Sequence, residues 1–257
     1  LLEAALWAGL GQSALLVGAL LVARLRQLTE PRWLGLVMAF GAGALISAIT
    51  TDLVSPAYRS AGRLPAGIGL FGGAVGFYAL THWLDRRAER EDPEQPVDDA
   101  AMDSVDEMPA GADAATARNL TVGMVLDGVP ESVAIGLTLL TGGVSAALVG
   151  AVFLSNLPES IGVAAALLAG GRALRDVLLR FAAIVAVGAA AGAIGYGVLN
   201  ESDVNAIAVI QCIAAGAMVV VVVNEMVPLA VRGAGRRAGL AAAAGFAVAA
   251  FLSTISG

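Results

Sequence analysis

Eight stretches of mostly apolar residues run through this chain, at roughly 3–23, 33–54, 65–84, 119–140, 143–169, 181–199, 204–230 and 238–255. A helix needs about 20 such residues to cross the hydrocarbon core of a bilayer. Inside that core every backbone N–H and C=O must find its partner within the protein, so an apolar run of this length is read as a helix. Composition agrees: 58% of residues are hydrophobic and 14% charged, against about 45–50% and about 25% in soluble domains. The fold class expected is an all-α polytopic membrane protein, with one transmembrane domain over 1–257. Cys212, the single cysteine, lies in an apolar run, which excludes a disulfide framework. The first run has no basic flank or small-residue cleavage site, so it is expected to be a membrane helix rather than a signal peptide.

Orientation follows from the basic residues. All fifteen are arginine. Arg24, Arg26 and Arg32, then Arg86, Arg87, Arg90 and Arg118, then Arg172, Arg175 and Arg180, then Arg232, Arg236 and Arg237 fall in or beside the odd-numbered connections. Only Arg59 and Arg63 fall in an even-numbered one. The positive-inside rule places the odd connections in the cytoplasm and both termini outside, as expected of a multi-pass protein of the plasma (inner) membrane. The net charge of −6 belongs to one segment: residues 85–118 hold eleven acids and four arginines. With few large apolar residues, this cytoplasmic loop is expected to be disordered. It serves either as a solvated linker or as a weak collector of metal ions. No basic stripe supports nucleic-acid binding.

Two internal echoes suggest a repeat. "DGVPES" (Asp127–Ser132) returns as "SNLPES" (Ser155–Ser160), offset by 28 residues, in spans four and five. "GALISAITTDLVSPA" (Gly43–Ala57) parallels "GAMVVVVVNEMVPLA" (Gly216–Ala230) in spans two and seven. Gly43 and Asp52 match Gly216 and Glu225 at an offset of 173, while the prolines are out of step by one. Both pairs join spans of opposite direction. A 3+2+3 inverted-repeat arrangement would satisfy them, and such repeats characterise secondary transporters, whose sites lie near the midplane.

Asp127, Glu131 and Glu159 lie inside predicted spans, where a charged residue costs roughly 2.5–3.5 kcal/mol. Intramembrane ionisable groups point to function and face a bundle interior or a water-filled cavity. Asp127 and Glu131, four apart, share a helix face, as do Ser155 and Glu159, with Asn156 beside them. Neither span contains an arginine, which leaves protonation or a bound cation to neutralise the acids. Pro130 and Pro158 cannot donate to the carbonyls of Leu126 and Leu154. Those carbonyls are expected to turn inward, so that the repeated Pro-Glu step builds two facing halves of a metal site. The alternative is a pair of proline kinks with protonated glutamates packed by hydrogen bonds.

These Pro-Glu steps, the eight spans, the outward termini and the long third loop resemble the ZIP (Zrt/Irt-like) metal transporters, particularly the bacterial GufA-like type. In that family the fourth span reads His-Asn-x-Pro-Glu-Gly, and the fifth has His, an acid, then x-Pro-Glu-Gly. Here Asp127 and Gly128 occupy the His and Asn positions of the fourth span, and Ser155 and Asn156 the His and acid positions of the fifth. Only Pro130, Glu131, Pro158 and Glu159 match outright, and Ser132 and Ser160 replace the glycines. The resemblance implies that a divalent metal ion (Zn, Mn or Fe) is the transported substrate. It implies Asp127, Glu131, Asn156 and Glu159 as ligands, with Ser155 a further candidate, and Asp52 and Glu225 as entrance and exit ligands. Asp52 and Glu225 could equally be helix-end charges reaching water. An all-oxygen set suits Mn-type cations better than the nitrogen and sulfur ligands usual for zinc.

Three functions therefore compete: a transporter, a ZIP-fold sensor or scaffold that has lost transport, and an intramembrane acid–base hydrolase using paired carboxyls. The transporter is preferred, so the chain is not expected to be an enzyme. His82, the sole histidine, is expected at the membrane interface, as are Trp7, Trp33 and Trp83. Gly69/Gly73 and Gly72/Gly76 in span three mark either a homodimer face or packing within the chain, the second being favoured.

Overall fold

Each apolar run becomes a helix long and apolar enough to cross a membrane. The computed structural model describes residues 1–25, 30–91, 114–141 and 143–256. The helices are α1 (Leu2–Arg24, interrupted at Ser13), α2 (Pro31–Ser60), α3 (Arg63–Glu91), α4 (Ala114–Thr141), α5 (Ala146–Ala169), α6 (Leu174–Leu199), α7 (Val204–Ala234) and α8 (Arg237–Ser256). No strand occurs among the described residues.

Several boundaries differ from those read off hydropathy; α2, for one, runs on to Ser60 rather than 54. Helix α6 begins at Leu174 rather than 181. Its first turns carry Arg175, Asp176 and Arg180, but Val177 and Phe181 on the same turns are buried. An acid in the first turn also suits the helix N-terminus. Helix α3 runs on to Glu91 and α4 starts at Ala114, so both flanks of the acidic 85–118 segment are helical. At the first flank the Arg87 guanidinium carbon lies 5.6 Å from the Trp83 ring centroid, a cation–π contact. The rest of the 85–118 segment expected to be disordered, residues 92–113, and Arg26, within 26–29, lie outside the described residues.

Helix α2 packs mainly on α8, and α7 mainly on α3. Glycine permits both approaches. A Cβ at Gly43 would lie 2.6 Å from the carbonyl carbon of Ala242 in α8, and one at Gly216 would lie 2.8 Å from the backbone nitrogen of Ala74 in α3. Gly69 and Gly73 likewise pack against Val209 and Ile213 of α7, which is the intramolecular use of those small residues. Helix α4 packs on α6, and α1 lies against α5 and α6.

Helices α2 and α7 each contain a widened π turn, at Ile49–Val54 and Val222–Met226. The backbone N–H of Ser55 donates to Thr50, and that of Val227 to Val222, five residues back. Both turns end two residues before a proline, Pro56 and Pro228. With no N–H on the proline the ordinary ladder cannot continue, and the turn before it opens. The first wide turn is one residue longer than the second. That extra residue accounts for the one-step slip between the two prolines.

The buried apolar side chains form two main clusters. One holds Ala8, Leu45, Leu53, Ile135, Leu148, Val152 and Met218. The other holds Leu15, Met124, Ile161, Leu167, Phe181 and Ile184. Along α1, α4 and α5 the chain passes from one cluster to the other through polar residues: Gln12, then Asp127 to Glu131, then Ser155 to Glu159. A polar layer thus crosses the middle of an otherwise apolar bundle.

Candidate metal site

The polar layer is assembled where α4, α5 and α1 meet. Glu131 is 3% exposed and accepts from three side chains. Asn156 Nδ2 donates to Oε2 at 2.9 Å, Ser155 Oγ to Oε1 at 3.3 Å, and Gln12 Nε2 to Oε2 at 3.4 Å. The donors are themselves held. Ser155 Oγ and Asn156 Nδ2 each also donate to the Val152 carbonyl, at 2.8 and 2.9 Å. Gln12 Nε2 also donates to the Gly128 carbonyl at 3.2 Å. A buried carboxyl would be costly without such partners.

The other acids lie on one side of this clamp. Helices α4 and α5 are antiparallel, so Asp127 and Glu159, each four residues from the clamp, project toward the same end of the bundle. Glu225 of α7 joins them, within hydrogen-bonding reach of Asp127 and an electrostatic neighbour of Glu131 and Glu159. Asp127 is buried, while Glu159 and Glu225 are half-buried. The sequence left Glu225 either an exit ligand or a helix-end charge reaching water; in the structure it lies in the wide turn of α7, within reach of Asp127. Among the described residues, no three or more His, Cys, Asp or Glu side chains are arranged to hold a metal ion as they stand. The carboxyl groups gather without closing into a cage.

Asp52 lies elsewhere, at the opposite end of the bundle from the α1–α2 connection. Oδ1 accepts from Thr51 at 2.7 Å and from Ser253 at 2.8 Å, and Oδ2 accepts from Ser145. Ser145 is also the N-cap of α5, accepting from the Leu148 N–H at 2.9 Å. One carboxylate thereby ties α2, α5 and α8 together.

Pro130 and Pro158 both sit inside continuous helices. The Leu154 carbonyl, freed by Pro158, packs against α2: a Cβ at Gly41 would lie 3.0 Å from its oxygen. Its physical use is close approach of two helices. His82 is exposed and stacks on Tyr78, with ring centroids 5.8 Å apart. Trp33 and Trp83 are each 54% exposed near the ends of membrane-length spans, as interface residues would be.

Gln12 is the residue that sequence reasoning missed. It is fully buried in the first span. The available signal was a lone amide amid apolar neighbours, "GLGQSALL" (Gly9–Leu16). Gly128 makes room for it, since a Cβ there would lie 3.0 Å from both Gln12 Nε2 and Oε1. Where the fourth-span motif would carry an asparagine side chain, this protein places an amide from α1.

Eight membrane-length helices around a buried layer of carboxyl, amide and hydroxyl groups define a polytopic membrane protein with a polar interior site. The sequence signature of the ZIP zinc transporters matches residues 4–253. The chain belongs to the ZIP family, a family of metal transporters. No individual curated protein matches it.

Proposed function

We propose that this protein carries a divalent metal cation into the cytoplasm through the polar layer between α4 and α5. The observation that carries the proposal is the Glu131 clamp. A carboxyl group is held by α1 and α5 between two apolar clusters, with Asp127, Glu159 and Glu225 gathered on one side of it. Glu131, Asp127, Glu159, Asn156 and Ser155 are the ligands from which a transient site would form. Glu225 would continue the path at one end and Asp52 would receive cations at the other. The arginine distribution supports an orientation with Asp52 outside and Glu225 toward the cytoplasm of a plasma-membrane protein.

Alternating access fits an inverted repeat. The wide turns of α2 and α7 begin at matched positions, and the matched glycines Gly43 and Gly216 seat those helices on α8 and α3. An all-oxygen set favours Mn- or Fe-type cations over zinc. Protons compete for carboxylate ligands, so uptake should need more metal as pH falls. A second reading, a ZIP-fold sensor that does not transport, draws on the acids not closing into a cage.

The test is uptake of Mn, Fe, Zn, Co, Cd and Mg into sealed vesicles holding the purified protein. Uptake by the native chain that disappears in Glu131→Ala/Glu159→Ala is expected. Folded native protein that moves none of these metals across a range of pH overturns the transport reading in favour of the sensor.

A further inference from the structure

The fully buried Gln12 lies in the first helix, a largely apolar span. Two acceptors settle its orientation: Nε2 is 3.2 Å from the Gly128 carbonyl oxygen and 3.4 Å from Glu131 Oε2, so the carboxamide oxygen is the other atom. That oxygen, and Ser132 Oγ, are buried and have no hydrogen-bond partner among the described residues. A buried polar group left in this state is costly. The two groups share one wall of the layer. A Cβ at Gly188 of α6 would lie 2.8 Å from both Gln12 Cγ and Ser132 Oγ. Gly128 on α4 and Gly188 on α6 thus leave space for an amide that supports Glu131 with one end and keeps an oxygen unspent at the other.

We propose that Gln12 is a specificity-determining residue of the cation site, its amide nitrogen positioning Glu131 and its free carboxamide oxygen serving as a neutral oxygen ligand. The proposal rests on the transport reading above and adds a ligand from a helix that carries none of the acids. Neutral oxygens raise the number of ligands without adding charge. Tetrahedral zinc sites draw on few ligands, mainly nitrogen and sulfur. Larger, harder cations take more oxygens. The amide therefore tilts the site toward manganese-type ions and away from zinc.

The experiment compares half-saturating concentrations of Mn and Zn for vesicle uptake by the native chain, Gln12→Met and Gly188→Ala. Gln12→Met keeps the length and removes both polar ends. Gly188→Ala keeps the amide and displaces it. In Gln12→Met the half-saturating Mn concentration should rise about tenfold, the scale on which groups supporting metal ligands act, with a smaller change for Zn. The Mn-to-Zn preference should fall in Gly188→Ala as well. A purely structural role would instead lower the maximal rate for both metals and leave their ratio unchanged, and an unchanged ratio overturns the proposal. Failure of both variants to fold also overturns it, because Gln12 would then be a packing residue. Absence of uptake by the native chain removes the transport reading itself, whereas native uptake with an unchanged ratio removes only the role of Gln12.

Discussion

The two Pro-Glu steps are the same three residues in sequence, Pro130-Glu131-Ser132 and Pro158-Glu159-Ser160, yet they end in different environments. Glu131 is buried and held by donors from α1 and α5. Glu159 is half-buried and receives no hydrogen bond among the described residues; its neighbours of note are Glu225 and Glu131. The following serines differ too. Ser160 Oγ donates to Leu157 and Ala14, at 2.7 and 3.3 Å, while Ser132 Oγ has no partner among the described residues. A repeated motif thus supplies two carboxyl groups of unequal freedom. On the proposed function Glu131 would be the preorganised anchor, and Glu159 could move toward a cation without first breaking hydrogen bonds.

This asymmetry can be broken by substitution. Glu131→Ala should have the largest effect, because it removes the acceptor that Gln12, Ser155 and Asn156 share, leaving each with only its backbone carbonyl partner. Loss of such partners costs about 1–3 kcal/mol. Both thermal stability and uptake should fall. Glu159→Ala should also abolish uptake but move stability by no more than about 0.5 kcal/mol, as for a side chain outside any buried network. Equal loss of stability in the two variants would contradict the distinction between anchor and mobile ligand.

Asn156→Ala should fall between them. It removes the shortest bond to Glu131, and positioning partners of metal ligands are worth about 10–100-fold in affinity. The effect should appear in the half-saturating metal concentration. Asp52→Asn should be smallest. Its amide oxygen can still accept from the hydroxyls of Thr51 and Ser253, so stability should hold. Uptake should weaken most at low ionic strength, where the half-buried Asp52 carboxylate's long-range attraction for cations is least screened. A loss independent of salt would make Asp52 a structural tie rather than an entrance.

How far the sequence reaches can be judged residue by residue. The eight helices were legible because hydropathy over about 20 residues is a local property. Asp127, Glu131 and Glu159 were legible because an acid in an apolar run demands an explanation. The grouping of Glu225 with Asp127 was not, because it depends on the wide turn at Val222–Met226 and on how α7 meets α4. Gln12 was passed over because a neutral amide raises no charge alarm, and its glycine-lined space comes from α4 and α6. The ties of Asp52 to Ser145 and Ser253 join residues far apart in the chain. The start of α6 was misplaced because Arg175, Asp176 and Arg180 lower the local hydropathy without interrupting the helix.

The central claim is that Glu131 and Glu159 together carry a divalent cation through the polar layer. Its most direct test is Mn uptake into sealed vesicles by the native chain, Glu131→Gln and Glu159→Gln, each with folded protein measured in parallel. Uptake by the native chain and its loss in both variants, with only Glu131→Gln losing thermal stability, is the expected result. Undiminished uptake in either variant would contradict the claim.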